Sequence, residues 1–389
     1  MIERPEHRLL LACARICGDA ERRDLTLSCV SRRMDWEYLL QMAARHAITS
    51  LLFNHVNTIC QDVVPDGILA RLHSHFVKSA KNNLFLTSDL LKILYTLERN
   101  GITAIPFKGP VLAHSLYENP ALREFGDLDI LIQTSNVFRA LKLLPSLGYQ
   151  KIREYPPMVE AQILRLEYHY QIRSEDRGPL VELHWNVAPH YFVLPLVIEG
   201  WWQRTQLLQL EQRRVQNLSA EDLLMALSVH GCRHLWESLG WITDVSRLLA
   251  QNGKLDWDYI LKEYHDPDLK RMIFLSLIVA HDLTGAPVEK EIIKQAKEDP
   301  VVLELAQEVA GRLFGHGAEA EGLHFNLFQL RLKSRWIDRI RYCYRLVTRP
   351  TLIEWNVALP RFLFPLYFFL RPIRLIRKTL NRVFSPQRY

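Results

Sequence analysis

The first hundred residues carry apolar side chains at helical spacing. In the segment DWEYLLQMAARHAITSLLFNHV, apolar residues fall at positions i, i+3, i+4 and i+7, namely Trp36, Leu39, Leu40 and Ala43. Residues at this spacing lie on one face of a helix. The pattern predicts an N-terminal helical region over residues 1–100.

The pattern changes after Gly101. Two short apolar runs, ITAIPF and FGDLDILI, flank the loop KGP and the helical stretch VLAHSLY, and a further helix is predicted from about Ser135 to Leu147. Three extended segments follow: YQKIREY, LEYHYQIRS and PLVELHWNV. The last two flank EDRG, whose acids and glycine are typical of a hairpin turn. Residues 101–190 therefore predict a small mixed α/β unit.

Helical spacing returns after this unit. Ser219 followed by Asp222 resembles the start of a capped helix, and the apolar segments RMIFLSLIVAHDL and VVLELAQEVAGRLF continue the pattern. We predict a helical region over residues 191–330 and a basic amphipathic tail over residues 331–389. The fold class is therefore predicted to be α+β, with a small mixed-sheet core embedded in largely helical N- and C-terminal regions.

Two acids interrupt the apolar run FGDLDILI. Successive strand residues point to opposite faces, so Asp127 and Asp129 share one face. Neighbouring carboxylates repel each other unless a cation lies between them. If the segment LVELHW pairs with this strand, Glu182 reaches the same face, and carboxylate oxygens are the ligands that hard divalent cations prefer. The three acids predict a Mg²⁺ or Mn²⁺ site, with a solvated edge strand and a solvated Glu182 as the alternatives.

The order of these motifs resembles a known superfamily. The run FKGPVLAHSLYENPALREFGDLDILI, followed about 50 residues later by VELHW, is similar to the nucleotidyltransferases that include DNA polymerase beta. More narrowly, it resembles the bacterial branch of uncharacterised nucleotidyltransferases. That branch has a Lys-Gly loop, an Arg ahead of an Asp-x-Asp strand and a Leu-His-Trp segment. The resemblance extends over roughly residues 30–250.

The resemblance implies an enzyme that moves a nucleoside monophosphate from an NTP to a hydroxyl-type acceptor and releases pyrophosphate. Asp127 and Asp129 would then ligate a catalytic Mg²⁺ pair. Glu182 would be the third carboxylate, which bridges to the ion on the attacking hydroxyl and could take its proton. The acceptor is left open among a protein side chain, a small metabolite, a cell-envelope glycan precursor and an RNA end.

The same resemblance assigns three residues to the nucleotide phosphates. Gly109 would let the backbone approach the triphosphate, while Lys108 and Arg123 would supply positive charge. Many members of the superfamily have Gly-Ser in this loop, but Pro110 has neither a hydroxyl nor an N–H. This departure leaves open a second class of function, a catalytically inactive binding or scaffold protein at a membrane or partner surface.

Other polar residues receive weaker assignments from the sequence. His184 and Trp185 are expected to pack against the site or orient it. His230 and His234 lie four residues apart on one predicted helix face, which is a spacing found at metal sites. Asp244 lies further along the chain, but packing against the core unit or contact with substrate is the favoured interpretation.

Net charge divides the chain into two parts. The whole chain carries +6, yet residues 331–389 hold 14 Lys or Arg against Asp338 and Glu354. The tail therefore suggests an anionic partner. Its segment RPIRLIRKTLNRVF, with Ile373, Ile376 and Leu380 near helical spacing, fits an anionic membrane surface. A helix docked on the protein's own core and a nucleic-acid partner remain alternatives.

The chain shows no sign of export. Its first residues, MIERPEHRLL, lack the apolar core of a signal peptide, and its six scattered cysteines show neither zinc-ligand spacing nor a disulfide framework. We therefore expect a cytoplasmic protein, with peripheral placement at the inner membrane face if the tail binds lipid.

Overall fold

The computed structural model describes residues 4–30, 34–155, 157–174, 178–251, 255–315, 323–350, 354 and 359–384. An N-terminal group of helices comes first: α1 (Pro5–Ala14), α2 (Asp19–Cys29), α3 (Trp36–Arg45), α4 (Thr49–Ile59) and α5 (Asp66–Arg99). The sheet unit follows: β1 (Ala104–Pro106), α6 (Pro110–Leu116), β2 (Asp127–Ile132), α7 (Val137–Leu143), β3 (Tyr149–Lys151), α8 (Pro157–Leu166), β4 (His169–Ser174) and β5 (Leu180–His184).

The remaining elements begin with a hairpin and are otherwise helical. They are β6 (Gln206–Leu210), β7 (Arg213–Asn217), α9 (Ala220–Arg233), α10 (Leu239–Gln251), α11 (Trp257–Glu263), α12 (Pro267–Thr284), α13 (Lys290–Lys297), α14 (Pro300–Leu313), α15 (Leu323–Leu332), α16 (Trp336–Thr348) and α17 (Tyr367–Phe384). The predicted α+β class is confirmed.

The first five strands form one mixed sheet in the order β1-β2-β5-β4-β3. Strand β2 pairs antiparallel with β1 and parallel with β5, and the outer pairs β5–β4 and β4–β3 are antiparallel. The parallel pair places Asp129 directly opposite Glu182. A one-residue shift in this register would move Glu182 to the other face.

The two faces of the sheet differ because side chains alternate along each strand. One face is apolar, and its buried side chains include Leu128, Ile130, Val181 and Leu183. Residues of α5, which recur one turn apart along its second half, pack against this face: Leu86, Leu90, Ile93 and Leu97. The other face carries the acids on β2 and β5, and it points towards α9 and α10.

The core of the sheet unit draws residues from both sides of residues 101–190. Besides α5, it includes Val215 on β7 and the fully buried Tyr367 at the start of α17. Most of the remaining helices share a second large apolar core, which also contains Ile105 and Leu131 from the sheet. The boundaries between regions at 100, 190 and 330 stay predictions.

Several elements differ from the sequence prediction. The helix predicted from Ser135 is a 3-10 turn over Thr134–Asn136, then α7, then a 3-10 turn over Leu144–Leu147 that ends at Gly148 with φ +81°. The residue that precedes α7 is Asn136, so the α-helix begins after Ser135, where the sequence pattern placed its start. Helix α8 was not predicted, although Val159 and Ile163 are fully buried one turn apart.

The β6–β7 hairpin lies inside the region predicted as helical. Its turn has no Gly or Asn, and Glu211 itself adopts the left-handed conformation with φ +51°. The usual sequence signal for a two-residue hairpin turn is therefore missing. The turn predicted at EDRG falls mainly on residues 175–177, which lie outside the described residues, although β4 and β5 on either side pair antiparallel.

The described part of the C-terminal tail is docked on the rest of the protein. Tyr367 is buried in the sheet core, and the Arg371 Nη1 donates to the carbonyl oxygen of Arg349 at 2.8 Å. Arg349 in turn pairs with Glu167, the residue that follows α8. Across the part of the chain that is described, no helix is both long enough and apolar enough to span a bilayer.

Candidate active site

The acids on the polar face of the sheet line one cavity of about 460 Å³. Asp127 and Asp129 come from β2 and Glu182 from β5, so the pairing of two adjacent parallel strands brings them together. The loop after β1 and the loop before β2 form the rim, and α9 and α10 form the opposite wall. The structure thus places the three acids predicted from the sequence in one cavity.

Asp129 is the most deeply buried of the acids, with 1% of its surface exposed. Its Oδ1 lies 2.7 Å from the Lys108 Nζ and 3.0 Å from the His184 Nε2. Its buried Oδ2 has no hydrogen-bond partner among the described residues. Burial raises the pKa of Asp129, but the nearby Lys108 and His184 lower it by a larger amount. The pKa therefore lies below its usual value, and the carboxyl group is ionised.

Glu182 is held by residues on the same sheet face. Its Oε1 accepts a hydrogen bond of 2.9 Å from the Gln171 Nε2, directly across the β4–β5 pair, and its Oε2 lies 3.3 Å from the His184 Nε2. Burial raises the pKa of Glu182, but the bond to His184 and the nearby His169 outweigh it and hold the pKa far below the usual range. Glu182 is therefore ionised at neutral pH.

His184 joins the two carboxylates. Its Nε2 faces both, and its Nδ1 lies 3.3 Å from the carbonyl oxygen of Asn186. When Nδ1 carries the hydrogen and donates it to that carbonyl, the lone pair of Nε2 points at the two carboxylates. A lone pair that faces carboxylate oxygens is unfavourable, so Nε2 must bind a proton or a metal ion there. One atom each of Asp129, Glu182 and His184 lie within 4.8 Å of one another.

Asp127 has no comparable support. No hydrogen bond or ion pair reaches its carboxylate from the described part of the chain. Burial raises its pKa to about 6, and the negative charges of Asp129 and Glu182 act in the same direction, while Lys108 opposes them. Asp127 is thus the acid whose charge is least compensated.

The Lys-Gly loop has a conformation that requires glycine. Gly109 has φ +57°, and a Cβ there would lie 3.0 Å from the carbonyl oxygen of Asp127. Pro110 follows at the first position of α6, where a missing N–H leaves no helical hydrogen bond unmade. Pro110 is therefore compatible with the local backbone, and Lys108 extends from this loop to Asp129.

Arg123 is fixed in a buried network. Its Nε and Nη2 donate to the two oxygens of Asp244 at 2.9 and 2.8 Å, and the Tyr117 hydroxyl donates to the Asp244 Oδ1 at 2.8 Å. The Arg123 Nη1 also donates to the Gly109 carbonyl oxygen at 3.3 Å. Arg123 therefore connects the Lys-Gly loop to α10. Its contact with phosphate stays a prediction, and that contact would use the N–H groups of Arg123 that make none of these bonds.

Aromatic and imidazole groups complete the wall opposite the acids. His230 on α9 and His234, the residue that follows this helix, have ring centroids 4.7 Å apart, and both contact Trp241 on α10. Burial lowers the pKa of His230 well below its usual value, and the charge of Lys108 adds to this effect. His169 stacks on His184 at 5.2 Å between ring centroids.

Sequence reasoning found only part of this set. His184, which was expected to pack against the site or orient it, shares a strand face with Glu182, and its Nε2 faces both carboxylates. The contributions of His169 and Gln171 depend on the β4–β5 register, which no local pattern specifies.

Comparison with known proteins identifies a family for this chain. Residues 32–285 match the profile of a protein family described as "Uncharacterised nucleotidyltransferase". The chain belongs to this nucleotidyltransferase family. The matched span contains the sheet, the acids and the helical wall of the cavity, and a search among curated proteins gave no match.

Solved structures similar to this nucleotidyltransferase are remote. The lincomycin-bound lincosamide antibiotic adenylyltransferase LnuA is 18% identical with a TM-score of 0.26, covering 36% of this chain and 83% of its own. The antibiotic-resistance factor ANT(2'')-Ia is 12% identical with a TM-score of 0.30, covering 59% and 98%. An antigenic nucleotidyltransferase-like protein from Paracoccidioides brasiliensis is 17% identical with a TM-score of 0.28, covering 49% and 92%.

Proposed function

We propose that this protein transfers a nucleoside monophosphate from an NTP to a hydroxyl-type acceptor in a reaction that depends on Mg²⁺ or Mn²⁺. The observation that carries the proposal is the paired register of Asp129 and Glu182, with the unpartnered Oδ2 of Asp129 buried beside them. A buried ionised oxygen without a partner is unfavourable on its own. A divalent cation from solution would satisfy it.

The residues present fit such a cation. Asp127, Asp129 and Glu182 offer the oxygen ligands that Mg²⁺ and Mn²⁺ prefer, and the His184 Nε2 offers a nitrogen ligand. Lys108 already pairs with the Oδ1 of Asp129, so the Oδ2 is the oxygen left for the ion. When bound, divalent ions in such a site neutralise the triphosphate and stabilise the attacking and leaving oxygens.

The proposed step is a displacement at the α-phosphorus of the NTP. A bond forms from the acceptor oxygen to this phosphorus, the bond to the oxygen that bridges to the β-phosphate breaks, and pyrophosphate leaves. The acceptor's proton is lost to solvent. We assign Glu182 the role of an anionic ligand.

Residues of the loops orient the nucleotide in this proposal. Lys108 contributes positive charge beside the phosphates, and Gly109 allows the backbone to come close to them. Arg123, through its pair with Asp244 and its bond to the Gly109 carbonyl, holds the loop in place. Such preorganised charge lowers the barrier without rearrangement during the reaction.

Labelled nucleotides test the proposal directly. The full-length protein is incubated with each [α-³²P]NTP, Mg²⁺ or Mn²⁺ and a cell extract as the source of acceptor, with parallel reactions containing [γ-³²P]NTP. Label from the α position should enter a product while label from the γ position appears in pyrophosphate. Phosphate transfer from the γ position, or no labelled product with any nucleotide, would refute the proposal.

Matched variants separate transfer from the inactive alternative. Asp129→Asn should abolish labelling, whereas Asp62→Asn, at an exposed position outside the cavity, should leave it unchanged. Melting temperatures measured with metal and NTP, alone and together, report binding. Stabilisation that needs both and is lost in Asp129→Asn supports the site, whereas no shift with any NTP favours a scaffold.

A further inference from the structure

We infer that α16 and α17 dock this protein onto an anionic membrane surface. The observation is a concentration of exposed apolar side chains in this part of the molecule. Trp336 on α16 is 70% exposed and Phe369 on α17 is 62% exposed. Large exposed apolar groups gathered in one region mark sites of interaction.

The exposed residues of α16 form one stripe. Its apolar members recur at the spacing of a single helix face: Trp336, Ile340, Tyr344 and Val347. The exposed Cys343 lies on the same stripe. Tyr342 on the opposite side of the helix is fully buried, so the stripe is surface that the protein's own core leaves uncovered.

Helix α17 repeats this arrangement. Phe369, Ile373 and Ile376 are spaced by four and three residues, and each exposes about 60% of its surface. Tyr367 and Leu370 on the other side pack into the sheet core. Helices α16 and α17 contact each other, so the two stripes belong to one region that is anchored on the catalytic unit.

The exposed charges beside the two stripes indicate the chemistry of the partner. Arg335 and Arg339 flank the α16 stripe on one side and Arg341 flanks it on the other, while Arg377 lies beside the α17 stripe and all four are exposed. Other basic residues of this region, among them Lys333 and Arg349, are already paired with acids, so the charge that faces a partner is that of the exposed arginines. An anionic bilayer meets both features at once, because apolar side chains enter the acyl boundary while arginines stay among the headgroups.

The alternatives match less of the surface. A nucleic acid would use the arginines, but it would leave the aliphatic side chains of Ile340, Val347, Ile373 and Ile376 without a partner, since phosphates and sugars are polar. A second copy of the chain would bring arginine against arginine. Charge complementarity therefore favours lipid.

Vesicle binding tests the inference with the full-length protein. The protein should sediment with vesicles of phosphatidylcholine and phosphatidylglycerol, less with phosphatidylcholine alone, and less as salt increases. Trp336→Ser/Ile340→Ser and Ile373→Ser/Ile376→Ser should each weaken binding at least about tenfold, given the loss of two inserted side chains. Leu84→Ser/Phe85→Ser, which changes two exposed apolar residues on α5, is the matched control.

Charge and depth give independent readouts. Arg335→Gln/Arg377→Gln should weaken binding to anionic vesicles by about tenfold or more and leave the circular dichroism spectrum unchanged, since each arginine near the surface contributes about 1 kcal/mol. A spin label on Cys343, in a Cys17→Ser background, should become more accessible to oxygen than to a nickel chelate on vesicles. Cys17 is the half-buried thiol and the other four are buried.

Four results would overturn the inference. The wild-type protein could fail to sediment with any vesicle, or the serine variants could sediment like the wild type. The label on Cys343 could stay fully accessible to the nickel chelate. Finally, the stripe variants could lower binding to RNA or convert a dimer to a monomer with no effect on vesicles, which would assign the surface to those partners.

Discussion

Replacing Asp127 by Asn should stabilise the metal-free protein at neutral pH. Asp127 is half-buried beside Asp129 and Glu182, and no described residue pairs with its carboxylate. An amide of the same shape removes the charge and keeps the volume. The folded protein therefore gains stability when the least compensated charge of the site is deleted.

The magnitude follows from the pKa. Burial and the neighbouring acids raise the pKa of Asp127 from 3.8 to about 6. Because each pKa unit corresponds to about 1.36 kcal/mol, the charge costs up to about 3 kcal/mol of unfolding free energy above pH 6. This is a large fraction of the stability of an ordinary domain.

The sign determines the pH profile. The folded state binds the Asp127 proton more tightly than the unfolded chain, so this contribution to stability is fully present below pH 3.8 and is lost as the pH rises to about 6. Asp127→Asn should therefore be more stable than the wild type at pH 8, and the difference should shrink progressively as the pH falls from 6 to 4.

Urea unfolding followed by tryptophan fluorescence, in EDTA at pH 4.5 and pH 8, measures this difference. Asp62→Asn is the control for removal of an exposed acid. Saturating Mg²⁺ at pH 8 should narrow or reverse the gap, since the ion stabilises only the protein that retains its ligand. The reasoning fails if the variant is no more stable than the wild type at pH 8, or if its gain does not depend on pH.

Four further predictions concern the same site. Glu182→Ala should keep some nucleotide binding in calorimetry but lower turnover about 100-fold or more, since a ligand to the reacting ion is lost; undiminished pyrophosphate release would remove Glu182 from its role. Mn²⁺ should bind more tightly than Mg²⁺, and His184→Asn should reduce this preference if its imidazole is a ligand; equal preference in the two proteins would exclude it. Arg123→Ala should lower the unfolding free energy by about 3 to 5 kcal/mol, because Asp244 stays buried without its cation. The double variant Arg123→Ala/Asp244→Asn should recover part of this lost stability. Full additivity of the two changes would contradict the pairing. Gly109→Ala should lower the unfolding free energy by about 1 to 2 kcal/mol, because residue 109 has a positive φ. The crowding of the new side chain against the Asp127 carbonyl should also weaken NTP binding. An unchanged melting temperature and NTP affinity would show that the loop tolerates a side chain.

Local patterns predicted the parts of the site that lie on single strands. The alternation in FGDLDILI placed Asp127 and Asp129 on one face, and the order of the motifs led to the family that the profile match confirms. The prediction that Glu182 lies near Asp129 depended on the assumption that β5 pairs with β2. Local sequence does not supply this pairing, because strand order is set by packing across the whole sheet.

Long-range contacts were not available from the sequence. Arg123 and Asp244 are 121 residues apart, and nothing near either residue signals that they meet. Arg123 therefore has a structural role, whereas the resemblance alone assigned it to a contact with phosphate. The hairpin β6–β7 was missed for a different reason, since its turn uses Glu211 where glycine is usual.

The central claim is that acids from two neighbouring strands together hold a divalent ion next to the nucleotide. Electron paramagnetic resonance of Mn²⁺, titrated into the protein with and without ATP, measures this directly through the loss of the free-ion signal. We expect the wild type to deplete that signal more strongly when ATP is present, and Asp129→Asn/Glu182→Gln to leave it at the level of ATP alone. Equal depletion by the wild type and the double variant would contradict the account.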